Sequence, residues 1–457
     1  MHKLDLDSDE TLNPTYASRS FSHEIPKYRL PASGVSADAA YQLVHDELNL
    51  DGNPALNLAS FVTSWMEPQA DRLAAETLAK NLIDQDEYPQ SEVIHRRVVS
   101  MIARLFHAPS GGQATGTATI GSSEAIMLAM LAHKRSWQRR RESVGEPADR
   151  PNLVMGADVH TCWEKFARYF EVEARIVPME EGRYTIGATD VEPLLDERTI
   201  GVAALHGSTF TGQMDDLASI DALLGRVESE RGWRIPMHVD AASGGFVTPF
   251  SEPELQWDFR LERVRSINVS NHKFGLVYPG MGTVVFRDVG DLPQELIFHI
   301  NYLGGDMPNY SLNFSRPSSS VILQYFAFLR LGHEGYSEIV ASVLANAQAL
   351  AHELGAFDEL ELLNDGSRYP IVIVRAKDPE KLDLTLLSQL LRARGWIVPA
   401  YTLPPNAEHI TVLRMVIKEN FSRDMVDILA HDIRTAIRVL EVGPAPRSKR
   451  EARRPMY

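Results

Sequence analysis

The chain of 457 residues contains a single cysteine, Cys162, and this scarcity limits its covalent chemistry. One cysteine excludes an intramolecular disulfide and any metal site built from several thiolates. A reducing compartment is typical of such a composition. We therefore predict no metal site, and we expect Cys162 to be a half-buried helix residue without a chemical role.

Long apolar runs are also missing. No stretch of about 18 apolar residues occurs, so no segment is predicted to span a membrane. The first ten residues, MHKLDLDSDE, are acidic and lack the apolar core of a signal peptide. These two absences predict a cytoplasmic protein without a membrane partner.

Positive charge is in deficit, because 46 lysines and arginines face 61 aspartates and glutamates, for a formal net charge of -15. A nucleic acid or an anionic membrane would require a basic face. The composition therefore argues against nucleic-acid partners. The apolar and charged fractions are those of an ordinary globular enzyme.

Strand-like and helical segments alternate through most of the chain, for example strands at 152–156, 201–205 and 235–239. This alternation predicts an α/β fold with a mainly parallel sheet and helices on both faces. We predict three parts. Residues 1–55 form an N-terminal arm and a helix, 56–343 a large domain, and 344–457 a smaller C-terminal α/β domain ending in a basic tail at about 443–457.

Polar clusters stand where several of these strands are predicted to end, at 206–211, 238–243 and 270–273. Ligands of parallel sheets bind at the carboxyl ends of strands. The last cluster presents Lys273 where a buried strand meets a glycine-rich turn. Burial disfavours the ammonium form and prepares a lysine to react with a carbonyl cofactor. Taken alone, the same pattern also fits a solvated surface lysine.

Two further signals indicate which cofactor this would be. Gly121, Ser122 and Ser123 precede a long helix, where free N–H groups and hydroxyls can bind a phosphate, although a plain helix cap has the same appearance. Asp240, in HVDAASGG, can hold a pyridine nitrogen protonated. Together with Lys273, these residues match the phosphate, the ring nitrogen and the aldehyde of pyridoxal 5'-phosphate.

With these residues in this order, the sequence resembles the pyridoxal-phosphate group II decarboxylases, and within them the glutamate decarboxylases. The resemblance runs from about Tyr16 to Leu440. It is carried by NLASFVTSW, IDQDEYPQS, IGSSEAIMLA, CWEKFARYFEVEARIVPM, HVDAASGGFVTPF, NVSNHKFGLVYPGMG and NYLGGDMPNYSLNFSRP. It implies the fold of pyridoxal-phosphate-dependent transferases, fold type I, which is like that of aspartate aminotransferase. It also implies a homodimer at minimum, with a hexamer as a larger assembly.

The resemblance also implies roles for individual residues. Lys273 would bind the cofactor covalently, with His272 as a phosphate contact and proton carrier. Asp240 would pair with the ring nitrogen. The cofactor phosphate would be bound by Ser122, Ser123, Ser270 and, from the other subunit, Ser315, and Thr209 would lie near the cofactor ring. Arg414 would bind the α-carboxylate of the substrate. The distal carboxylate would be bound by Ser60, the Phe61 backbone and, across the dimer interface, Asp84.

Two features depart from the family pattern. The residue that stacks on the cofactor ring is His160, where bacterial glutamate decarboxylases usually have glutamine. Histidine stacks equally well but can also titrate, so substrate choice and pH profile stay open. The C-terminus, Met456-Tyr457, lacks the histidine that closes the site in some bacterial relatives.

The implied activity is decarboxylation of L-glutamate to γ-aminobutyrate and carbon dioxide, with one proton consumed. One alternative is a group II decarboxylase for another amino acid, such as aspartate, cysteine sulfinate or an aromatic one. A second is a catalytically silent protein that binds pyridoxal phosphate. Without the resemblance, Arg414 would equally fit a surface charge on an edge strand.

Overall fold

A computed structural model describes residues 28–109, 114–301 and 307–442. The predicted basic tail, most of the predicted N-terminal arm and the YLGGD part of NYLGGDMPNY lie outside these ranges. The chain divides into two compact units, 1–56 and 57–457. In the first, the helix predicted within residues 1–55 spans Ala37–Leu48, and the Ser36 hydroxyl accepts a hydrogen bond from the Ala39 N–H at 3.3 Å.

The second unit contains a seven-stranded sheet with the strand order β1-β7-β6-β5-β4-β2-β3. Its strands are β1 (Gly116–Thr119), β2 (Asn152–Gly156), β3 (Glu173–Val177), β4 (Thr199–Leu205), β5 (Met237–Asp240), β6 (Val264–Val269) and β7 (Gly282–Phe286). The five strands β3, β2, β4, β5 and β6 are parallel to one another, and β7 runs antiparallel to both of its neighbours, β6 and β1, so that β1 points the same way as the other five. This arrangement confirms the predicted mainly parallel α/β fold.

The central strands are buried along their whole length because helices cover both faces of the sheet. Every residue of β2, β4 and β5 is buried, which explains why the sequences of β2 and β4 are nearly continuous apolar runs. The α-helices of the second unit are Pro68–Thr77, Pro89–Leu105, Ser122–Ser143, Thr161–Tyr169, Ala188–Val191, Leu217–Arg231, Thr248–Ser251, Ser319–Gly355, Leu384–Arg392 and Arg423–Val442. Short 3-10 helices lie at Glu192–Leu194, Gly244–Phe246, Val289–Asp291 and Gln294–Leu296.

Two smaller sheets complete the second unit. The strands β8 (Phe298–Ile300) and β9 (Met307–Asn309) pair antiparallel. The strands β10 (Leu360–Asp365), β11 (Ile371–Ala376), β12 (Ala400–Thr402) and β13 (Thr411–Val416) form a four-stranded antiparallel sheet in the order β10-β11-β13-β12.

The helix Ser319–Gly355 spans the boundary between 343 and 344 at which the smaller domain is predicted to begin. It is interrupted at Gly332, whose φ of 60° lies in the left-handed region that glycine tolerates. Within the described residues, no helix is both long enough and apolar enough to cross a membrane.

Candidate active site

A cavity of about 420 Å³ opens at the carboxyl ends of β4, β5 and β6, within the size range of small-molecule sites. The loops that follow these strands supply much of its lining, as parallel sheets require. Eight of the predicted site residues line it: Ser122, Ser123, His160, Thr209, Asp240, Ser270, His272 and Lys273. The fold thus brings together residues that are far apart in sequence.

Lys273 follows β6 in a loop that is held by a distant segment. The Thr63 hydroxyl donates to the Lys273 carbonyl at 2.6 Å, and the Thr63 N–H donates to the His272 carbonyl at 2.8 Å. The Lys273 ammonium nitrogen lies 2.9 Å from the Ser243 hydroxyl oxygen. Burial lowers the pKa of Lys273 to about 8, an effect that Asp240 opposes and Arg414 reinforces. At pH 7 roughly a tenth of this amine is therefore uncharged and able to attack a carbonyl, far more than for a lysine in water.

Asp240 ends β5 with its carboxylate held by three N–H donors. Oδ1 accepts from Asn268 Nδ2 at 2.9 Å and from the Ala242 N–H at 3.1 Å. Oδ2 accepts from the indole N–H of Trp163 at 2.9 Å. These bonds fix the carboxylate in the floor of the cavity and stabilise its negative charge.

The start of the helix Ser122–Ser143 forms one wall of the cavity. The Ser122 and Ser270 hydroxyl oxygens lie 2.7 Å apart, beside free N–H groups of the first helical turn. A Cβ atom at Gly121 would lie 3.1 Å from Cε1 of His272, so glycine is what lets the imidazole approach the helix start. This wall is suited to bind an anion such as a phosphate.

The two histidines of the cavity are both weak bases. Burial, assisted by the charge of Lys273, lowers the pKa of His272 to about 4. The His272 ring is fixed because its Nδ1 accepts the Met281 N–H at 3.2 Å. His160 caps the helix Thr161–Tyr169, with Nδ1 accepting the Cys162 N–H at 3.3 Å. Desolvation and then Lys273 lower the pKa of His160, so both rings are neutral near pH 7.

Arg414 is not a surface charge on an edge strand, because it is 8% exposed and β13 is an inner strand of its sheet. Its two terminal nitrogens donate to the carbonyls of Thr209 at 2.7 Å and Ala59 at 2.6 Å. Its Nε has no hydrogen-bond partner within the described part of the chain. Arg414 Cζ lies 5.0 Å and Lys273 Nζ 4.9 Å from the centre of the Phe61 ring. A buried guanidinium with a spare donor therefore stands close to the reactive amine.

Five predicted residues do not line the cavity: Phe61 and Arg414, described above, and Ser60, Asp84 and Ser315. The hydroxyl of Ser60, beside Phe61, accepts the Val62 N–H at 3.1 Å. Asp84 and Ser315 share one neighbour, because Asn81 Nδ2 donates to Asp84 Oδ1 at 3.1 Å and to Ser315 Oγ at 3.3 Å. Asp84 and Ser315 are therefore close to each other but do not line the cavity of their own chain.

Sequence reasoning missed several residues of the site. Ser243 and Trp163 stand inside quoted motifs, yet nothing in their spacing identifies them as partners of Lys273 and Asp240. Asn268 belongs to a glycosylation-like tripeptide, but its side chain is fully buried against Asp240. Asp158 also lines the cavity, and burial raises its pKa to about 6. Its position two residues before His160 was the available signal.

The expectation that Cys162 is half-buried was wrong, because its side chain is 3% exposed. Burial raises the pKa of its thiol to about 12, which leaves almost no reactive thiolate at neutral pH. Within the described ranges, no group of three or more histidine, cysteine, aspartate or glutamate side chains is arranged to hold a metal ion.

An anion-binding helix start, a fixed carboxylate and a buried lysine therefore surround one cavity, and this donor set fits pyridoxal phosphate. The conserved domain of the pyridoxal-dependent decarboxylases matches residues 26–377. The chain belongs to this family, and pyridoxal phosphate is its cofactor.

Relatives within the family are similar along almost the entire chain. "Glutamate decarboxylase 1" of Arabidopsis thaliana is 50% identical over 441 residues, which cover 96% of this chain and 88% of the relative. "Glutamate decarboxylase" of Lactococcus lactis is 43% identical over 442 residues, covering 96% and 95% of the two chains.

Solved structures show the same likeness. The structure of the glutamate decarboxylase of Lactobacillus brevis CGMCC 1306 matches with a TM-score of 0.92 at 42% identity, covering 95% of this chain and 100% of the other. Tryptophan decarboxylase of Catharanthus roseus, at 17% identity and a TM-score of 0.74, shares the fold.

Proposed function

We propose that this protein decarboxylates L-glutamate to γ-aminobutyrate and carbon dioxide and consumes one proton in each turnover. The observation that carries the proposal is the placement of Arg414 and Lys273 about one phenyl ring, that of Phe61. A guanidinium that pairs with no carboxylate of the described residues can bind the substrate's carboxylate there, beside the amine that holds the cofactor. The names of relatives up to 50% identical support glutamate as the substrate.

The cofactor is held by the residues around the cavity. Ser122, Ser123, Ser270 and His272 would bind its phosphate, and Asp240 would bind its ring nitrogen. His160 would stack on the ring, and Thr209 would lie near it. When bound, pyridoxal phosphate supplies an electron sink for the charge left on the substrate α-carbon as carbon dioxide departs.

Substrate recognition uses both carboxylates of glutamate. Arg414 binds the α-carboxylate through Nε and a terminal nitrogen, because the hydrogen bonds to Thr209 and Ala59 engage only some of its five N–H donors. Ser60 and the Phe61 backbone bind the distal carboxylate, together with Asp84 of a second copy. Asp84 can form a hydrogen bond to a carboxyl group of the substrate only when one of the two groups carries the shared proton.

The proton consumed in the reaction is delivered to the α-carbon by Lys273 Nζ or by His272. A lysine with a pKa of about 8 both carries a proton at neutral pH and releases it readily. His272, whose pKa is about 4, is largely neutral and must be recharged from solvent for each delivery. Lys273 is therefore the better donor near pH 7.

The functional unit is a homodimer at minimum, and larger assemblies such as a hexamer are compatible with it. The shared position of Asp84 and Ser315 beside Asn81, away from their own cavity, supports their use in the site of a neighbouring subunit. We also propose a cytoplasmic location, no nucleic-acid partner, a large domain at 56–343 and a small domain at 344–457.

The decisive experiment measures carbon dioxide and γ-aminobutyrate from L-glutamate between pH 4 and 8 with added pyridoxal phosphate. Aspartate, cysteine sulfinate and aromatic amino acids are assayed beside it, and Lys273→Ala serves as the inactive control. Faster turnover of aspartate than of glutamate would refute the substrate. Cofactor binding with no amine product from any of these amino acids would identify a catalytically silent protein.

A further inference from the structure

A chain of four hydrogen bonds leads away from Asp240 into the interior of the protein. Asn268 Nδ2 lies 2.9 Å from Asp240 Oδ1, and Asn268 Oδ1 lies 2.7 Å from His238 Nε2. The other ring nitrogen of His238, Nδ1, is 2.7 Å from Ser266 Oγ. Ser266 Oγ is in turn 2.6 Å from His133 Nε2. All five side chains are buried.

The register of two neighbouring strands creates this chain. In the parallel pair β5–β6, His238 is opposite Ser266 and Asp240 is opposite Asn268. Because side chains alternate along a strand, these four polar groups share one face of the sheet. Apolar neighbours such as Val239 and Ile267 face the main hydrophobic core instead.

The helix Ser122–Ser143 covers that polar face and contributes a side chain to each end of the hydrogen-bond chain. Ser122, in its first turn, lies 2.9 Å from Asn268 Nδ2 and so joins the chain to the proposed phosphate site. His133, three turns later on the same face, closes the far end at Ser266.

The direction of every hydrogen bond follows from the carboxylate. An ionised Asp240 only accepts, so Asn268 turns its NH₂ group to it and its carbonyl oxygen to His238. His238 Nε2 therefore carries a hydrogen, which leaves Nδ1 as an acceptor for the Ser266 hydroxyl hydrogen. Having donated that hydrogen, Ser266 Oγ accepts from His133 Nε2. All four donors thus point toward Asp240.

His238 must be neutral for this order to hold, because its Nδ1 accepts a hydrogen bond, whereas His133 needs only a hydrogen on Nε2. The surroundings of both rings favour the neutral form. Burial lowers the pKa of His238 to about 4. Burial also lowers the pKa of His133, and the charges of Arg140 and Arg265 act in the same direction. Cations at the far end and a carboxylate at the near end favour the same polarity of the chain.

We propose that Asn268, His238, Ser266 and His133 are positioning residues that act in series to orient the Asp240 carboxylate and strengthen its pairing with the cofactor ring nitrogen. Aligned hydrogen bonds polarise one another, by about 10–30% per bond, so the far members contribute through the near ones. The inference rests on the proposed pairing of Asp240 with that nitrogen.

The first test reads the tautomers in the unaltered holoenzyme. Solid-state ¹⁵N spectra of protein labelled in histidine are expected to show His133 and His238 neutral, each with its hydrogen on Nε2. Assignment uses the loss of one signal in His133→Gln and of another in His238→Gln. A hydrogen on Nδ1 of His238, or a His133 ring that carries its only hydrogen on Nδ1, would overturn the proposal.

The second test interrupts the hydrogen-bond chain at its centre. Ser266→Ala removes the hydroxyl that joins the two rings, whereas Thr199→Val removes an equally buried hydroxyl from β4, where it donates to Asn152 at 2.8 Å. Each protein is loaded with pyridoxal phosphate labelled with ¹⁵N in the ring. For Ser266→Ala we expect a smaller protonated fraction of the ring nitrogen and a cofactor dissociation constant raised about threefold to tenfold, equal to about 0.7–1.4 kcal/mol.

The control variant Thr199→Val is expected to match the native protein in both measurements. An unchanged ring-nitrogen signal in Ser266→Ala would refute the proposal that the distant residues act on Asp240 through the nearer ones. Asp240→Asn separates the two proposals: if that variant also leaves the ring-nitrogen signal unchanged, the assignment of Asp240 fails first. Should Ser266→Ala not fold, the tautomer measurement still decides the proposal, because it uses the native chain.

Discussion

Replacing Arg414 by methionine removes the guanidinium while keeping an unbranched apolar side chain next to Phe61. The lost interactions are those with the substrate α-carboxylate, together with the hydrogen bonds to the carbonyls of Thr209 and Ala59. Hydrogen bonds to charged groups contribute about 1.5–3 kcal/mol each, so a two-bond contact with the carboxylate is worth about 3–6 kcal/mol. Since each 1.36 kcal/mol is a factor of ten, we expect kcat/KM for glutamate to fall about 10²-fold to 10⁴-fold.

The assay pairs kinetics with the binding of two ligands. Glutamate carries the α-carboxylate, whereas γ-aminobutyrate lacks it, so Arg414→Met should weaken glutamate binding strongly and γ-aminobutyrate binding little. Arg375→Met is the matched control. This arginine lies on β11 of the same sheet and bonds to Glu361 at 2.8 Å and Glu181 at 2.7 Å, as Arg414 bonds to its two carbonyls.

Retention of the cofactor spectrum shows that the Arg414→Met site is still assembled. A loss of kcat/KM smaller than tenfold, or equal weakening of both ligands, would refute α-carboxylate binding by Arg414. Equal losses in Arg414→Met and Arg375→Met would instead indicate that the sheet as a whole is disturbed.

Three further predictions concern titratable groups. Because burial lowers the pKa of Lys273 to about 8, the rate at which the cofactor-free chain reacts with pyridoxal phosphate should rise with pH and level off above about 8; a rise that continues to pH 10 would contradict this. His160→Gln should change kcat/KM less than about threefold at pH 7, where both side chains are neutral and stack alike, and should alter the pH profile only on the acid side. Burial raises the pKa of Asp158 from 3.8 to about 6, so this carboxyl binds its proton more tightly in the folded state. The ionised, buried carboxylate therefore destabilises the fold increasingly as the pH rises from 3.8 to 6, and fully above that range. Asp158→Asn should therefore raise the free energy of unfolding by about 3 kcal/mol at pH 8 and by almost nothing below pH 4, as measured by urea titration, and equal effects at both pH values would refute the burial argument.

Much of the large sheet could be predicted from the sequence because its signals are local. The apolar runs of β2 and β4 are continuous since both faces of these strands are buried. The polar residues that end β5 and β6 interrupt such runs where the chain leaves the sheet. Strand-end clusters at Asp240 and Lys273 were thus visible, and the geometry places both in one cavity.

The partners of these residues could not be predicted, because they depend on contacts between distant parts of the chain. Thr63 holds the Lys273 carbonyl across 210 residues of sequence, and Arg414 reaches Ala59 across 355. No periodicity or spacing reports such pairs. The burial of Arg414 likewise depends on the strand order of its sheet, which places β13 between β11 and β12.

By itself, the sequence determined which chemical groups are available: a lysine at a strand end, an aspartate at another and a serine pair before a helix. Only the tertiary structure decided how strongly each group is perturbed and by what. Asn268 shows the difference, since its tripeptide matches a glycosylation pattern, whereas the register of β5 and β6 places its amide between Asp240 and His238. Burial and the direction of hydrogen bonds arise from packing between strands and helices, and these are properties that no short stretch of sequence contains.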